Sequence, residues 1–257
     1  MEIDKHKKQF GNLASDYTKY RREYPKELFN FIFTKVGEGE KKILDIACGT
    51  GKSTESLLRG GVQLYGCDID PLMISEAKKQ SELKHLDIRY SVAEAENLPY
   101  SNDEFDAVTV GTAFHWFAND NSMDQIKRVL KRNSPFFIYW TLTVRDVPEE
   151  DGIPWSFLQK YSWQKVSKEL RNLDYISEFL TTRGFDRVST FRIPFSKDYI
   201  VEEYVGLQKT ASSYGILSDE DKKSFDLELT EILTKQLGDR IHFTLNDEIQ
   251  VCCVFKK

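Results

Sequence analysis

Asp45, Gly49, Gly51 and Asp68 stand at a spacing suited to holding a nucleoside. The two glycines bracket a tight turn, where backbone must bend sharply and let a ligand approach closely. Asp68 closes the next apolar run, and a carboxylate at the end of such a strand accepts hydrogen bonds from both hydroxyls of a ribose. His115, in the triplet His115-Trp116-Phe117, has an ordinary pKa near neutrality. It is a candidate general base for a hydroxyl or amine, and equally a loop anchor. Near the start of the chain, Tyr17, Tyr20 and Arg21 place aromatic faces beside a cation, a combination common in binding sites.

Spacing sorts the nucleoside-type ligands. A phosphate-cradling loop needs a glycine five positions before Gly51-Lys52-Ser53, and position 46 is Ile46. A dinucleotide fingerprint accepts Gly49 and Gly51 but asks for glycine or alanine where this chain has Thr54. The third pattern puts an acid, Asp45, four residues before the first glycine.

These residues need elements to hold them. Ile43, Leu44 and Ile46 read as a strand buried on both faces, followed by a helix from about Ser53 to Arg59 and a second strand from Val62 to Asp68. Asp70-Pro71 caps the next helix. Ile88–Val92, Phe105–Val110 and Phe136–Trp140 read as further strands, with a helix over Met123–Arg132 capped from Asp120–Ser122. Asn133 suits a left-handed turn. Residues 4–36 carry helical periodicity, with Pro25 opening a second helix whose inner face is Leu28, Phe29, Ile32, Phe33 and Val36. Later elements are a strand from Gly184 to about Pro194, helices over Tyr199–Ser213 and Asp219–Leu237, and a closing strand over Ile249–Phe255.

The string ILDIACGTG, followed by YGCDIDP, resembles the first two motifs of class I S-adenosylmethionine-dependent methyltransferases. The resemblance implies an α/β, Rossmann-like seven-stranded mixed sheet with its last strand antiparallel, helices on both faces and a helical substrate cap. It implies S-adenosylmethionine as cofactor and S-adenosylhomocysteine as product. Asp45, Ala47, Gly49, Gly51 and Asp68 would bind that cofactor, with Ile69 and Met73 against the adenine. Ala93-Glu94-Ala95-Glu96-Asn97-Leu98-Pro99 is similar to the family's adenine loop, so Glu94 would accept from the adenine amino group and the Ala95 amide would reach a ring nitrogen. Thr112 or Ala113 would border the methyl group.

The segment Phe10 to Pro25 and the HWF triplet are similar to the trans-aconitate methyltransferase type. That likeness makes Tyr17, Tyr20, Arg21 and Trp116 substrate-side residues, with Arg21 and Arg145 as carboxylate clamps. The reaction so implied is methylation of a small carboxylic acid to its ester. Methylation of another metabolite, a quinone or a lipid is the alternative; a nucleotide-dependent oxidoreductase and a non-catalytic nucleoside-binding domain are rivals from other classes.

Bulk properties agree. A chain of 257 residues buries roughly 70–75% of its unfolded surface. Its net charge of −5, with both signs interspersed, argues against nucleic acid as a partner. No apolar run approaches the length of a membrane span, and MEIDKHKKQF lacks the core of a secretory signal. Cys48, Cys67, Cys252 and Cys253 show no metal spacing and read as buried thiols. The expectation is a cytoplasmic enzyme, monomer or homodimer, acting on a small molecule without metal. It forms one domain over residues 1–257, with lid helices over about 4–36 and a helical cap over about 145–180 and 199–214.

Overall fold

A computed structural model describes residues 13–143, 153–161 and 172–257. Seven strands form one sheet in the order β3-β2-β1-β4-β5-β7-β6. They are β1 (Lys41–Ile46), β2 (Val62–Asp68), β3 (Ile88–Val92), β4 (Ala107–Gly111), β5 (Pro135–Thr143), β6 (Phe185–Tyr199) and β7 (Phe243–Lys256). β3 through β5 are parallel, and β7 runs antiparallel to both β5 and β6. The chain winds outward from β1 to β3, then crosses back to β4. Connections therefore diverge above the carboxyl ends of β1 and β4, and that divergence opens a crevice.

The helices around the sheet follow from their apolar stripes. After α1 (Ala14–Tyr20), α2 (Lys26–Val36) buries Leu28, Phe29, Ile32 and Val36, while Phe33 stays half-buried under the Arg59 guanidinium, 4.1 Å from its ring centre. α3 (Lys52–Ser56) is shorter than expected: the chain turns at Leu57, and Val62 N–H returns to the Arg59 carbonyl. α4 (Pro71–Leu83) starts where the Asp70 carboxylate accepts from the Leu72 amide at 2.9 Å. α5 (Asp120–Val129) is capped by Asn119 rather than by residues 120–122, because the Asn119 side chain accepts from the Ser122 amide. It also ends earlier than expected. Asn133 then takes a left-handed turn at φ +61°, as its amide-bearing side chain allows.

Two apolar cores flank the sheet. One packs Leu44, Val108, Phe136 and Val254 with α5 and α7 (Leu173–Thr181); the other packs α2 against Ile43, Phe137 and Val251. Cys252 and Cys253 fall on opposite faces, and all four cysteines are free and buried.

A third core is separate. It joins Leu13, α6 (Trp155–Lys160), α8 (Val201–Lys209), α9 (Ser212–Gly215) and α10 (Asp219–Leu237) through Tyr204, Tyr214, Phe225, Leu229 and Leu233. These helices rise from a ribbon made by β6 and β7, which outlasts β5: pairing continues from Phe195–Asp247 to Tyr199–Phe243. Both strands are longer than the sequence pattern indicates. Pro194 does not end β6, because an edge strand tolerates a residue without an amide proton. The helix expected over 199–213 breaks at Thr210, whose hydroxyl bonds back to the Leu207 carbonyl. Among the described residues no helix is long and apolar enough to cross a membrane.

Candidate functional site

The turn after β1 is built by backbone conformations that few side chains accept. Ala47 and Gly49 both have φ +55°, and Gly51 at φ +84° opens α3. Gly51 is obligatory for packing: a Cβ there would collide with the Tyr90 hydroxyl on β3. Asp45 lies behind the turn, fully buried, and accepts from the Thr54 hydroxyl at 2.7 Å and the Thr109 hydroxyl at 2.8 Å. The position that a dinucleotide fingerprint reserves for glycine thus carries a hydroxyl that fastens α3 to β1. Burial raises the Asp45 carboxyl from 3.8 to about 6, with the two hydroxyls opposing the rise.

Asp68 ends β2 at the mouth of the crevice. One carboxylate oxygen accepts from the Gly49 amide and the other from the Asp70 amide, both at 2.9 Å. The two bonds aim the carboxylate across the turn. Burial raises this acid also, from 3.8 to about 6.

The crevice is a cleft open to solvent. Gly49 and Asp68 form one wall, Ile69, Met73, Glu94 and Ala95 the next, and Thr112, Ala113 and Trp116 the far end, with Tyr17 over the top. Ile46, Ala93, Gly111 and Phe117 complete it without having been singled out in the sequence. A strand-end rule finds Ile46 and Gly111, and Ala93 and Phe117 fall within the adenine-loop string and the HWF triplet without having been given a role there.

Ala47 lines the cleft as well, whereas the structure places the other predicted residues around it. Asp45 and Gly51 support the turn from behind. Tyr20 turns away, its ring packed on Gly206 of α8 and its hydroxyl accepting from Lys19 at 2.6 Å. Arg21 sits above Tyr17, its guanidinium 5.2 Å from the ring centre, and donates to the Thr210 hydroxyl at 3.5 Å. Its carbonyl accepts from Lys52 Nζ at 2.7 Å, a tie between lid and glycine turn that sequence gives no hint of. His115 lines a small recess with Ile138, Trp140 and Thr141, which shares Thr112 and Ala113 with the cleft. Arg145 lies outside the described residues. Among the described residues no cluster of potential metal ligands occurs.

The comparisons with known proteins fit this geometry. A methyltransferase domain family model matches residues 44–138, the stretch from β1 to β5 that carries the turn, Asp68 and Thr112. An uncharacterized methyltransferase-like protein of Schizosaccharomyces pombe is 29% identical over 256 residues, covering 95% of this chain and 92% of the relative. The chain carries an S-adenosylmethionine-dependent methyltransferase domain. Solved structures share the methyltransferase's fold at low identity. The YcgJ protein from Bacillus subtilis superposes with a TM-score of 0.56 at 17% identity, covering 90% of this chain and 97% of its own. The Haemonchus contortus phosphoethanolamine N-methyltransferase 2, in complex with phosphomonomethylethanolamine and S-adenosylhomocysteine, gives 0.55 at 16%, with 90% of this chain matching 52% of that one. This methyltransferase therefore spans about half of that structure.

Proposed function

We propose that the methyltransferase esterifies a small carboxylic acid held between Arg21 and the far end of the cleft. The observation that supports this reading is the Arg21 guanidinium above the ring of Tyr17, a residue that lines the cleft together with Thr112 and Trp116. A guanidinium presents paired donors that match a carboxylate. Thr210 of the cap is close enough to share the task.

The cleft fits the cofactor. Asp68, aimed by two amides, is suited to accept from the ribose hydroxyls. Gly49 leaves room for the amino-acid part, since an added Cβ would meet only the Tyr17 ring at 3.9 Å. Ile69 and Met73 offer an apolar face to the adenine, Glu94 an acceptor for its amino group, and the Ala95 amide a donor to its ring. When bound, S-adenosylmethionine supplies an electrophilic methyl on a sulfonium. The protein's own part is positioning: Arg21 and Tyr17 orient the acid, Thr112 and Ala113 border the reacting centre, and the lid and cap helices exclude water. A carboxylate needs no base.

A second reading has its own support. His115 borders the recess beside Thr112, where it would take a proton from a hydroxyl or amine acceptor. The deciding experiment follows S-adenosylhomocysteine release against a panel of small acids that includes trans-aconitate. Turnover with an acid, with Arg21→Ala raising its KM about 30-fold and cofactor Kd changing less than about twofold, supports the clamp. Equal effects on both would sink it. Silence across the acids, with turnover of hydroxyl or amine acceptors lost in His115→Ala, would favour the second reading.

A further inference from the structure

Thr112 is held in a conformation its side chain disfavours. It is β-branched, yet it sits at φ +56°, in the left-handed region. It also stands at the far end of the cleft, directly after β4. Such strain persists only where neighbours over-determine it.

Three neighbours do so here. The Thr112 amide donates to the Tyr139 carbonyl of β5 at 2.7 Å. Its hydroxyl shares a 2.6 Å hydrogen bond with that of Tyr24, which belongs to the lid segment between α1 and α2. Gly111 beside it leaves no room to relax, since a Cβ there would lie 2.9 Å from the Tyr139 ring and 3.1 Å from the Tyr24 hydroxyl. Tyr24 is itself fixed. Its ring meets Tyr139 edge-on at 4.9 Å, and the Tyr139 hydroxyl bonds Ser53 in the first turn of α3 at 2.5 Å. Burial raises the Tyr24 phenol, so it remains protonated.

We propose that Tyr24 is a positioning residue, whose hydroxyl holds Thr112 in its left-handed conformation and thereby sets the wall against which the methyl acceptor is aligned. The hydroxyl chain from Tyr24 through Thr112, with Tyr139 and Ser53 beside it, makes lid, cleft wall and glycine turn one rigid unit. Alignment is what an in-line displacement requires, so the bond acts on the rate of the bound complex rather than on binding. The inference needs only methyl transfer, not the carboxylate acceptor.

Two readouts test it, one of them without substrate or cofactor. In Tyr24→Phe, amide hydrogen exchange at Thr112 should rise about tenfold or more, while Val108 and Val110 on β4 stay within about twofold. With whichever acceptor turns over, kcat should fall about 30-fold while acceptor KM and cofactor Kd shift less than about threefold. Thr112→Val should reproduce both effects, Thr112→Ser should restore them to near wild type, and the double variant Tyr24→Phe, Thr112→Val should be no worse than either single one. Should Tyr24→Phe fail to fold, the Thr112 pair carries the same test alone. Unchanged exchange at Thr112, an additive double variant, or a kcat loss shared by Thr112→Ser would overturn the proposal. If no acid turns over, the exchange result still decides the role of Tyr24. If acids turn over and kcat ignores Tyr24→Phe, this inference fails and the proposed acceptor class stands.

Discussion

Asp45 and Asp68 are two buried acids raised from 3.8 to about 6, and their titration has a definite sign. Between about pH 4 and about pH 6 the folded protein holds protons that the unfolded chain has released. Stability from these groups is thus present below that interval, is lost as pH rises through it, and is flat above. Thermal unfolding of the unliganded protein should show this decline, and Asp45→Asn with Asp68→Asn should flatten it. Cofactor binding runs the other way. A ribose diol donates to a carboxylate, so affinity measured by calorimetry should rise as pH climbs through about 6 and then level, with proton release below that point. Asp68→Asn should weaken binding and abolish the pH dependence; a pH-dependent residue of binding in that variant would point to Asp45 instead. Much of this wall was legible from residue order, because glycine and acid spacing within one strand-turn-helix unit is local. Tyr24 with Thr112, 88 positions apart, and Lys52 with Arg21, 31 apart, were not. Their pairing depends on where the lid segment lands, which no local periodicity encodes.

At the scale of elements, the lid is pinned to the ribbon by a buried ion pair between Arg22 and Asp247 of β7, with side chains 10% and 0% exposed. The Arg22 guanidinium also lies over the Tyr199 ring, 5.1 Å from its centre. Removing one partner strands the other. Arg22→Met should cost about 3 kcal/mol, lowering Tm by roughly 10 °C, whereas Arg22→Met with Asp247→Leu should recover most of the loss. Equal losses in the single and double variants would show that the pair itself, not the stranded charge, stabilises the fold. Strand cores and helix stripes, such as Phe225, Leu229 and Leu233 on α10, follow from periodicity. The ends of β6 and β7 do not. Past Pro194 the ribbon is held by cross-strand pairing, and the exposed run Ser196-Lys197-Asp198 looks like a loop to any local rule.

Among the described residues the two larger cores of the sheet and the core of the cap are distinct, with Leu13 of the lid joining the cap core and Tyr24 and α2 joining a sheet core. Cores with few shared contacts open with different free energies. Amides of α10 around Leu229–Leu233 should exchange about tenfold or more faster than those of Leu44 and Val108, and equal protection would mean one cooperative unit. Family membership was readable from β1 to β2 alone; the cap was readable only as aromatic helices, because its packing against the lid joins distant stretches.

The ribbon has one more consequence. Tyr199 and Phe243 face each other as its last pair, so residues 44 apart in sequence are brought together by a single step across two strands. Everything between them is one continuous graft on a socket. Changes in that insert would reach the glycine turn through the lid, by way of Arg21, whose side chain bonds Thr210 and whose carbonyl accepts from Lys52.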